Sequence, residues 1–478
     1  MNKYKTTIGL EVHAELKTRT KMFCACPNNP YNIEPNTNVC PVCLAHPGTL
    51  PVINEEAIRS ILKVGLVLGG KIIEHPKFDR KSYFYPDLPK GYQISQYDLP
   101  LISGGELAGI KLERIHLEED TGRLTHIQAA SLVDYNRAGV PLMELVTKPA
   151  INSAEKALEF AKELQLLLRY LGVSDADMEK GQMRVEANIS ISLNRRKLGT
   201  KVELKNINSF KAVKDAIASE VGRQTELLGK GEGIVQETRG WNEDKKISFS
   251  QRIKEEADDY RYMPEPDLPP LDFTATGSPV DIKKLRLSLP EMPWEKRRRF
   301  SKEYGLQKDS DELGRLIKDR GEAEFFEEVI SEIGRKEKGL IRLIVNYIDS
   351  DLVGLMIQKK IGWAELKVTP ENFAELMLML HQNEITSKVA KAVLEETFTT
   401  GVDPHQIIGE QKLTQISNEQ TILLAVEEVI RENSDAAARY KAGKEQALKF
   451  LVGQTMIKLS GRGNPALVEQ LLREHLSK

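Results

Sequence analysis

Four cysteines in 478 residues all fall between positions 24 and 43, as Cys24-Ala-Cys26 and Cys40-Pro-Val-Cys43. Thiolates bind Zn²⁺ tetrahedrally, and two short pairs closing one loop supply four ligands. Incidental thiols would scatter along a chain of this length, and a disulfide framework belongs to small secreted domains. The clustering therefore predicts a closed structural zinc site with no catalytic role. Redox chemistry at the pairs is the alternative.

A second constellation is acidic. Glu11 and His13 alternate with apolar residues, His116-Leu-Glu118-Glu119-Asp120 brings three consecutive carboxylates, and Glu144 interrupts the apolar run Val140-Pro-Leu-Met-Glu-Leu-Val146. A carboxylate in an apolar strand is costly unless it is paired or bound to metal. Carboxylates with a histidine and no thiol suit Mg²⁺, which could carry a nucleotide phosphate. Surface salt bridges and one satisfied core glutamate are the competing explanation.

The block from Phe78 to Gln93 mixes Arg80, Lys81 and Lys90 with Tyr83, Phe84, Tyr85 and Tyr92. Cations among aromatics can hold phosphate and stack a base, which makes Arg80, Lys81, Tyr83 and Lys90 candidates for binding ATP or substrate. A strand and turn with solvated charges fits the same block. No GxxxxGK[ST] string occurs and no GxGxxG follows a strand, so any nucleotide site is of another kind. From Arg439 onward Lys441, Lys444, Lys449, Lys458, Arg462, Arg473 and Lys478 face only Glu445, Glu469 and Glu474. That local excess suits a phosphate backbone, although a solvated helical face would look the same.

Elements must position these residues. Ile8, Leu10, Val12 and Ala14 alternate with Gly9, Glu11, His13 and Glu15, which predicts a strand with one apolar and one polar face. Met183 to Leu193 alternates likewise, with Arg184, Glu186 and Asn188 on the polar face. Val202 and Leu204 alternate with Lys201, Glu203 and Lys205. The turn-like residues 194–199 would join these two strands as a hairpin. Helices are predicted from Asn152 to Gly172, with Leu158, Ala161, Leu164, Leu168 and Leu171 at helical spacing, and from Ser209 to about Gly229. Pro264 to Pro293 is proline-dense and reads as an extended segment or linker. Beyond it the pattern is helical, with a weaker break from Thr399 to Pro404.

The chain is too long for one core. Its formal charge of −2 confines any nucleic-acid surface to a local patch. The segment MNKYKTTIGL has no apolar stretch of a secretion signal, and no run approaches a membrane span. The expectation is a cytoplasmic protein with no membrane partner.

Several strings together resemble one family. IGLEVHAELKT, NTNVCPVCLAHPGTLPVIN, KSYFYPDLPKGYQISQYDLP, HLEEDTGR, DYNRAGVPLMELV, GTKVELKNINSF, EADDYRYMPEPDLPPL and the tail string FLVGQTMIKLSGRGNPALVEQLL are similar to the B subunits of the bacterial tRNA-dependent amidotransferases, the GatCAB family. The match runs in order along essentially the whole chain. The archaeal E subunits share the first domain but insert a synthetase-like region for which Pro264–Pro293 leaves no room. Strings typical of aminoacyl-tRNA synthetases are absent.

The resemblance implies a multidomain chain. Residues 1–292 would form a cradle-shaped, kinase-like α/β domain with a mixed, largely antiparallel sheet and a zinc module at 24–43. Residues 293–405 would form an all-α helical domain, and 406–478 a small all-α, YqeY-like tail that binds tRNA. It implies an enzyme that uses ATP to phosphorylate the side-chain carboxylate of misacylated Glu-tRNA(Gln) or Asp-tRNA(Asn). Ammonia from a glutamine-hydrolysing amidase A subunit would then amidate it, in a heterotrimer completed by a small C subunit. The implied cofactors are ATP, Mg²⁺ and structural Zn²⁺. The family's Mg²⁺ ligands map onto His13, Glu119 and Glu144, with Glu11 close by and catalytic, and its zinc ligands onto Cys24, Cys26, Cys40 and Cys43. Val185, Glu186 and Met263 depart from the family pattern, where Cys, Asp and Phe are expected.

Overall fold

The structure, a computed structural model, describes residues 4–193, 196–253, 260–274, 278–307, 310–334, 337–416 and 418–477. The chain divides into two compact units, Met1–Pro293 and Trp294–Lys478.

Among the described residues, the first unit is built on a ten-stranded sheet. At its centre the strand Lys5–Glu15 pairs antiparallel with Met183–Ser192 on one side and Pro141–Thr147 on the other, and Pro141–Thr147 pairs antiparallel with Ile110–Glu119. The predicted hairpin is present: Met183–Ser192 pairs antiparallel with Val202–Ile207, although residues 194 and 195 of its turn lie outside the described residues. One junction is parallel, between Val202–Ile207 and Glu237–Asn242. The sheet is thus mixed and largely antiparallel.

Alternation along each strand makes two unlike faces. Val12 stands beside Leu145 and Val185, and Leu145 beside Ile115; all four are buried. Each such aliphatic side chain stabilises the fold by about 1.5–3 kcal/mol when fully buried. The helix Phe210–Gly229 packs on the strands Met183–Ser192 and Val202–Ile207, with Ala154–Tyr170 beside it. The first of these helices begins where Ser209 accepts from the Ala212 amide. The second is capped by Ser153, not by Asn152 as its sequence suggested; Ser153 has extended backbone angles and its hydroxyl reaches the Lys156 amide. Gly172 ends that helix region at φ +65, a conformation glycine adopts without strain.

Of the two readings of the proline-dense segment, extended segment or linker, its first part is extended and anchored. Met263–Pro264 pairs with Asp79 and Arg80, and the Glu265, Leu271 and Phe273 amides donate to the Phe78, Pro76 and Glu74 carbonyls. Prolines suit this edge because they cannot donate to a ladder. Ile282–Leu287 is a short helix.

The second unit is helical throughout its described elements, from Pro293–Tyr304 to Pro465–Leu476. The break foreseen near Thr399 is a helix end: Ser387–Thr400 stops at Gly401, φ +79, and Asp403 caps the helix that starts at Pro404. Ile422, Val426, Val429, Leu448, Leu451, Val468 and Leu472 form a hydrophobic cluster of their own near the C-terminal end. No helix among the described residues is long and apolar enough to cross a membrane.

Candidate active site and metal centres

The polar face of the central sheet gathers most of the candidate residues. Strand register sets His13 opposite Glu144, and Glu144 opposite His116. Two residues along from His116, Glu118 points to the same face. His13 Nε2 lies 3.4 Å from Glu118 Oε1 and 3.4 Å from Glu144 Oε2; His116 Nε2 lies 3.2 Å from Glu144 Oε2. One ligand atom from each of His13, Glu118 and Glu144 falls within 4.8 Å of the others, a spacing one cation can bridge. The donor set, two carboxylates and an imidazole, suits a divalent cation whose remaining positions go to water or phosphate oxygen. His116 Nδ1 is buried and has no hydrogen-bond partner among the described residues.

Electrostatics agree with a cation site. Burial opposes the charged form of His13, but the Glu144 hydrogen bond and the Glu144 and Glu118 charges push it up to about 9. Burial likewise opposes the Glu144 carboxylate, yet His116 and His13 hold it well below the usual carboxylate range. The imidazolium thus occupies the electrostatic role that a bound metal would take over, with His13 then neutral.

A cavity of about 850 Å³ opens over this cluster. Lys81 and Arg184 line it. Burial opposes the Lys81 ammonium, but Glu118, Tyr262 and Glu144 raise its affinity for the proton, and its Nζ sits 5.0 Å from the Tyr260 ring centroid. Arg184 donates to Asp120 at 3.2 Å, and that charge holds the guanidinium firmly protonated. Tyr97 and Tyr262 stack on the cavity wall with centroids 4.3 Å apart. Glu11 also lines the cavity and accepts from Asn188 Nδ2 at 2.7 Å. Burial, then the Glu144, Glu186 and Glu203 charges, raise its pKa. Glu186 itself pairs with Lys205 at 2.8 Å.

The sequence-predicted residues separate into groups. His13, Glu144, Glu11 and Lys81 meet at the cavity. Glu119 does not: it lies on the opposite face with Ile115 and Leu117, ion-paired to Lys90 at 2.6 Å and accepting from the Ile94 amide at 3.0 Å. The side-chain period of two sends neighbours to opposite faces, so Glu118 takes the place given to Glu119. Arg80, next to Lys81, also points away. Glu265 accepts two of its N–H bonds at 2.7 and 2.8 Å, and its guanidinium covers Tyr92. Tyr83 stacks on Tyr85. Lys90 and Glu119 line a separate cavity of about 200 Å³ beside Cys24 and Cys43. From sequence, Glu118 and His116 were part of the acidic constellation and Arg184 lay on a polar strand face, but none of the three was assigned a role in the site. The signal for Glu118 was present in its phase with His116. Among the departures, Val185 is buried, Glu186 faces the cavity, and Met263 is half exposed in the strand beside Arg80.

The four cysteine sulfurs lie within 4.8 Å of one another. Cys40 and Cys43 Sγ are 3.9 Å apart, close to the roughly 3.8 Å that a tetrahedron of 2.3 Å Zn–S bonds requires. The Cys40 amide donates to Cys43 Sγ at 3.1 Å. Hydrogen bonding from Cys24 and the Lys21 charge together hold the Cys43 thiol down at about 5 against its burial.

Family models place the chain. Residues 6–277 match the GatB/GatE catalytic domain, and residues 324–476 match the GatB domain. A protein of Caldanaerobacter subterraneus subsp. tengcongensis, named as the B subunit of an aspartyl/glutamyl-tRNA(Asn/Gln) amidotransferase, is 46% identical over all of both chains. Proteins of the same name from Thermomicrobium roseum and Persephonella marina are 44% and 45% identical over 99% of each chain. Two domain models, one within each unit, and relatives of matching length establish that the chain belongs to the GatB family, the B subunits of the tRNA-dependent amidotransferases.

Proposed function

We propose that this chain is the ATP-dependent component of an aspartyl/glutamyl-tRNA(Asn/Gln) amidotransferase. On this reading it phosphorylates the side-chain carboxylate of misacylated Glu-tRNA(Gln) or Asp-tRNA(Asn) and then amidates it. The observation that carries the reading is the cavity in which His13, Glu118 and Glu144 converge, with Lys81 and Arg184 beside them. The domain layout that goes with it is a kinase-like cradle over 1–292, a helical domain over 293–405 and a YqeY-like, tRNA-binding tail over 406–478. The partners are an amidase A subunit that supplies ammonia and a small C subunit, in the cytoplasm.

A carboxylate does not exchange oxygen for ammonia at neutral pH, because the leaving group is poor. Attack of a carboxylate oxygen on the γ-phosphorus releases ADP and leaves an acyl phosphate. Ammonia then attacks the acyl carbon, inorganic phosphate departs, and the amine loses a proton as the amide forms. His13, Glu118 and Glu144 would hold Mg²⁺, which when bound neutralises phosphate charge and fixes its geometry. Lys81 and Arg184 add fixed positive charge along the cavity wall. A site shielded from water protects the acyl phosphate from hydrolysis. Cys24, Cys26, Cys40 and Cys43 would hold zinc in a purely structural site.

The test is ATP hydrolysis by the purified complex with each misacylated tRNA. His13→Ala and Glu144→Ala should abolish tRNA-dependent ATP cleavage while glutamine hydrolysis by the partner stays largely intact. Normal ATP cleavage in both variants would overturn the assignment. No tRNA-dependent ATP cleavage by the wild-type complex would favour a different reading, a tRNA-binding scaffold with a zinc module and no chemistry of its own.

A further inference from the structure

Lys21 is a buried cation, with 1% of its surface exposed. An ammonium has three N–H donors, and each finds one acceptor. These are the Asn38 carbonyl at 2.9 Å, the Tyr135 carbonyl at 3.4 Å and Cys43 Sγ at 3.9 Å. Among the described residues no carboxylate forms an ion pair with it. A buried ammonium without a counter-charge is strongly unfavourable. Among the described residues, the one group hydrogen-bonded to it that can carry full negative charge is the Cys43 sulfur.

Four thiolates around one Zn²⁺ leave about two formal negative charges on the centre. That centre and the ammonium solve each other's problem. We infer that Lys21 is the charge partner of the metal–thiolate centre: its ammonium donates to Cys43 Sγ and ties the cysteine module to the neighbouring wall. The inference rests on reading the four cysteines as a zinc site.

The surrounding geometry fits a built contact. A Cβ placed on Gly139 would meet Cys43 Cβ and Lys21 Cδ, each at 3.7 Å, so the backbone there closes against both residues. The Lys21 amide donates to the Cys26 carbonyl, and the Met22 amide to the Gly139 carbonyl. Its two carbonyl acceptors sit on segments that are themselves joined. The Asn38 amide donates to Asn136 Oδ1, and Asn136 Nδ2 donates to the Glu34 carbonyl, each at 2.8 Å. Tyr135 and Gly139 lie just ahead of the strand Pro141–Thr147 that carries Glu144. Groups that hydrogen-bond to metal ligands orient them and tune the metal. Lys21 would do so here for sulfur and act as a positioning residue.

The experiment compares the full-length chain with Lys21→Met and with the control Lys17→Met. Methionine keeps an unbranched side chain and removes the charge and all three donors. Lys17 is exposed and pairs with Asp175 at the surface. Zinc affinity is read by chelator competition, and the sulfur-to-metal charge-transfer band is read in the Co²⁺-substituted protein. Lys21→Met should lose about 10–100-fold in zinc affinity, the usual cost of an outer-shell partner. Its charge-transfer band should move to lower energy, because sulfur relieved of an N–H donor gives up electrons more readily. Lys17→Met should match the wild type in both. Unchanged affinity and an unmoved band in Lys21→Met would overturn the inference. A wild type that binds no zinc would overturn the zinc reading itself, and the inference with it. The wild type supplies an arm that does not depend on the variant folding. With ¹⁵N-labelled lysine, exchanging Zn²⁺ for Cd²⁺ should shift one slowly exchanging ammonium resonance. If no lysine ammonium responds to the metal, the inference fails.

Discussion

Glu118 and Glu119 are chemically identical neighbours with unlike surroundings. One meets His13 across the sheet, and the other meets Lys90 behind it. Their substitutions should therefore separate. If Glu118 is the metal ligand proposed above, Glu118→Gln should cost at least the roughly 10–100-fold in affinity that an outer-shell partner costs. Glu119→Gln should leave metal affinity near the wild-type value. Titration with Mn²⁺, followed by electron paramagnetic resonance, checks this, and equal losses in the two variants would contradict it. A second isolated residue is Glu322, 1% exposed, with Oε1 unpartnered and Lys318 3.8 Å from its other oxygen. Burial pushes its pKa up to about 7, and the Lys318 charge offsets this only in part. The folded chain then binds this proton more tightly than the unfolded chain does. Stability falls as pH rises from the unfolded value near 4.5 to about 7, and the full penalty persists above that. Glu322→Gln should raise stability by about 1–3 kcal/mol at pH 8. The gain should shrink as pH falls below about 7. Denaturant titrations at pH 8 and pH 5.5 test the sign, and a gain that grows on acidification would refute it.

At the scale of elements, the site depends on the strands keeping register, because a slip of one residue would turn every polar side chain to the core. The hairpin of Met183–Ser192 and Val202–Ile207 holds Arg184 and Glu186 in place. At Gly199 it comes close enough that a Cβ would lie 2.0 Å from the Ile191 carbonyl oxygen. That neighbour is backbone and cannot swing aside. Gly199→Ala should destabilise the first unit by about 1–3 kcal/mol, the usual cost of overpacking. It should also raise hydrogen exchange at the Val202–Ile207 amides; unchanged exchange there would show that the hairpin absorbs the methyl elsewhere. The alternation of Ile8–Glu15 and Met183–Leu193 made both strands and their working faces legible. Helix starts were legible to within one residue, since Ser153 and Asn152 are both good caps and local geometry chose between them. For the proline-dense segment the sequence left an extended segment and a linker both open, because the anchors that hold its first part extended, Glu74, Pro76 and Phe78, lie far back in the chain.

For the whole molecule, the tail is where sequence charge and folded charge differ. Lys458 pairs with Glu428 and Glu432, Arg473 pairs with Glu445 and Glu469, and Arg462 donates to the Lys412 carbonyl. Lys478 lies outside the described residues. Lys441, Lys444 and Lys449 remain for a phosphate backbone. Exposed ion pairs are weak and can be exchanged for phosphate, so the tail still suits tRNA. A chain truncated before Glu410 should show a raised KM for tRNA, a flatter salt dependence and near-normal turnover at saturation. Each lost phosphate contact should reduce the salt slope by about 1. Unchanged affinity and slope would assign the tail to another purpose, such as assembly.

Residue order sufficed for the mixed strand-rich first part and the helical remainder, the faces of the central strands, the clustering of all four cysteines and the family. Each of these rests on local period, composition or an ordered run of motifs, which survive without knowledge of what packs on what. The tertiary structure alone decided which carboxylate joins His13 and Glu144, that Arg80 turns to Glu265 while Lys81 faces the cavity, and that Lys21 lies buried against Cys43. Those outcomes depend on pairing between strands and loops far apart in the chain. Local alternation says which residues share a face, but only the register across strands brings particular side chains within bonding distance.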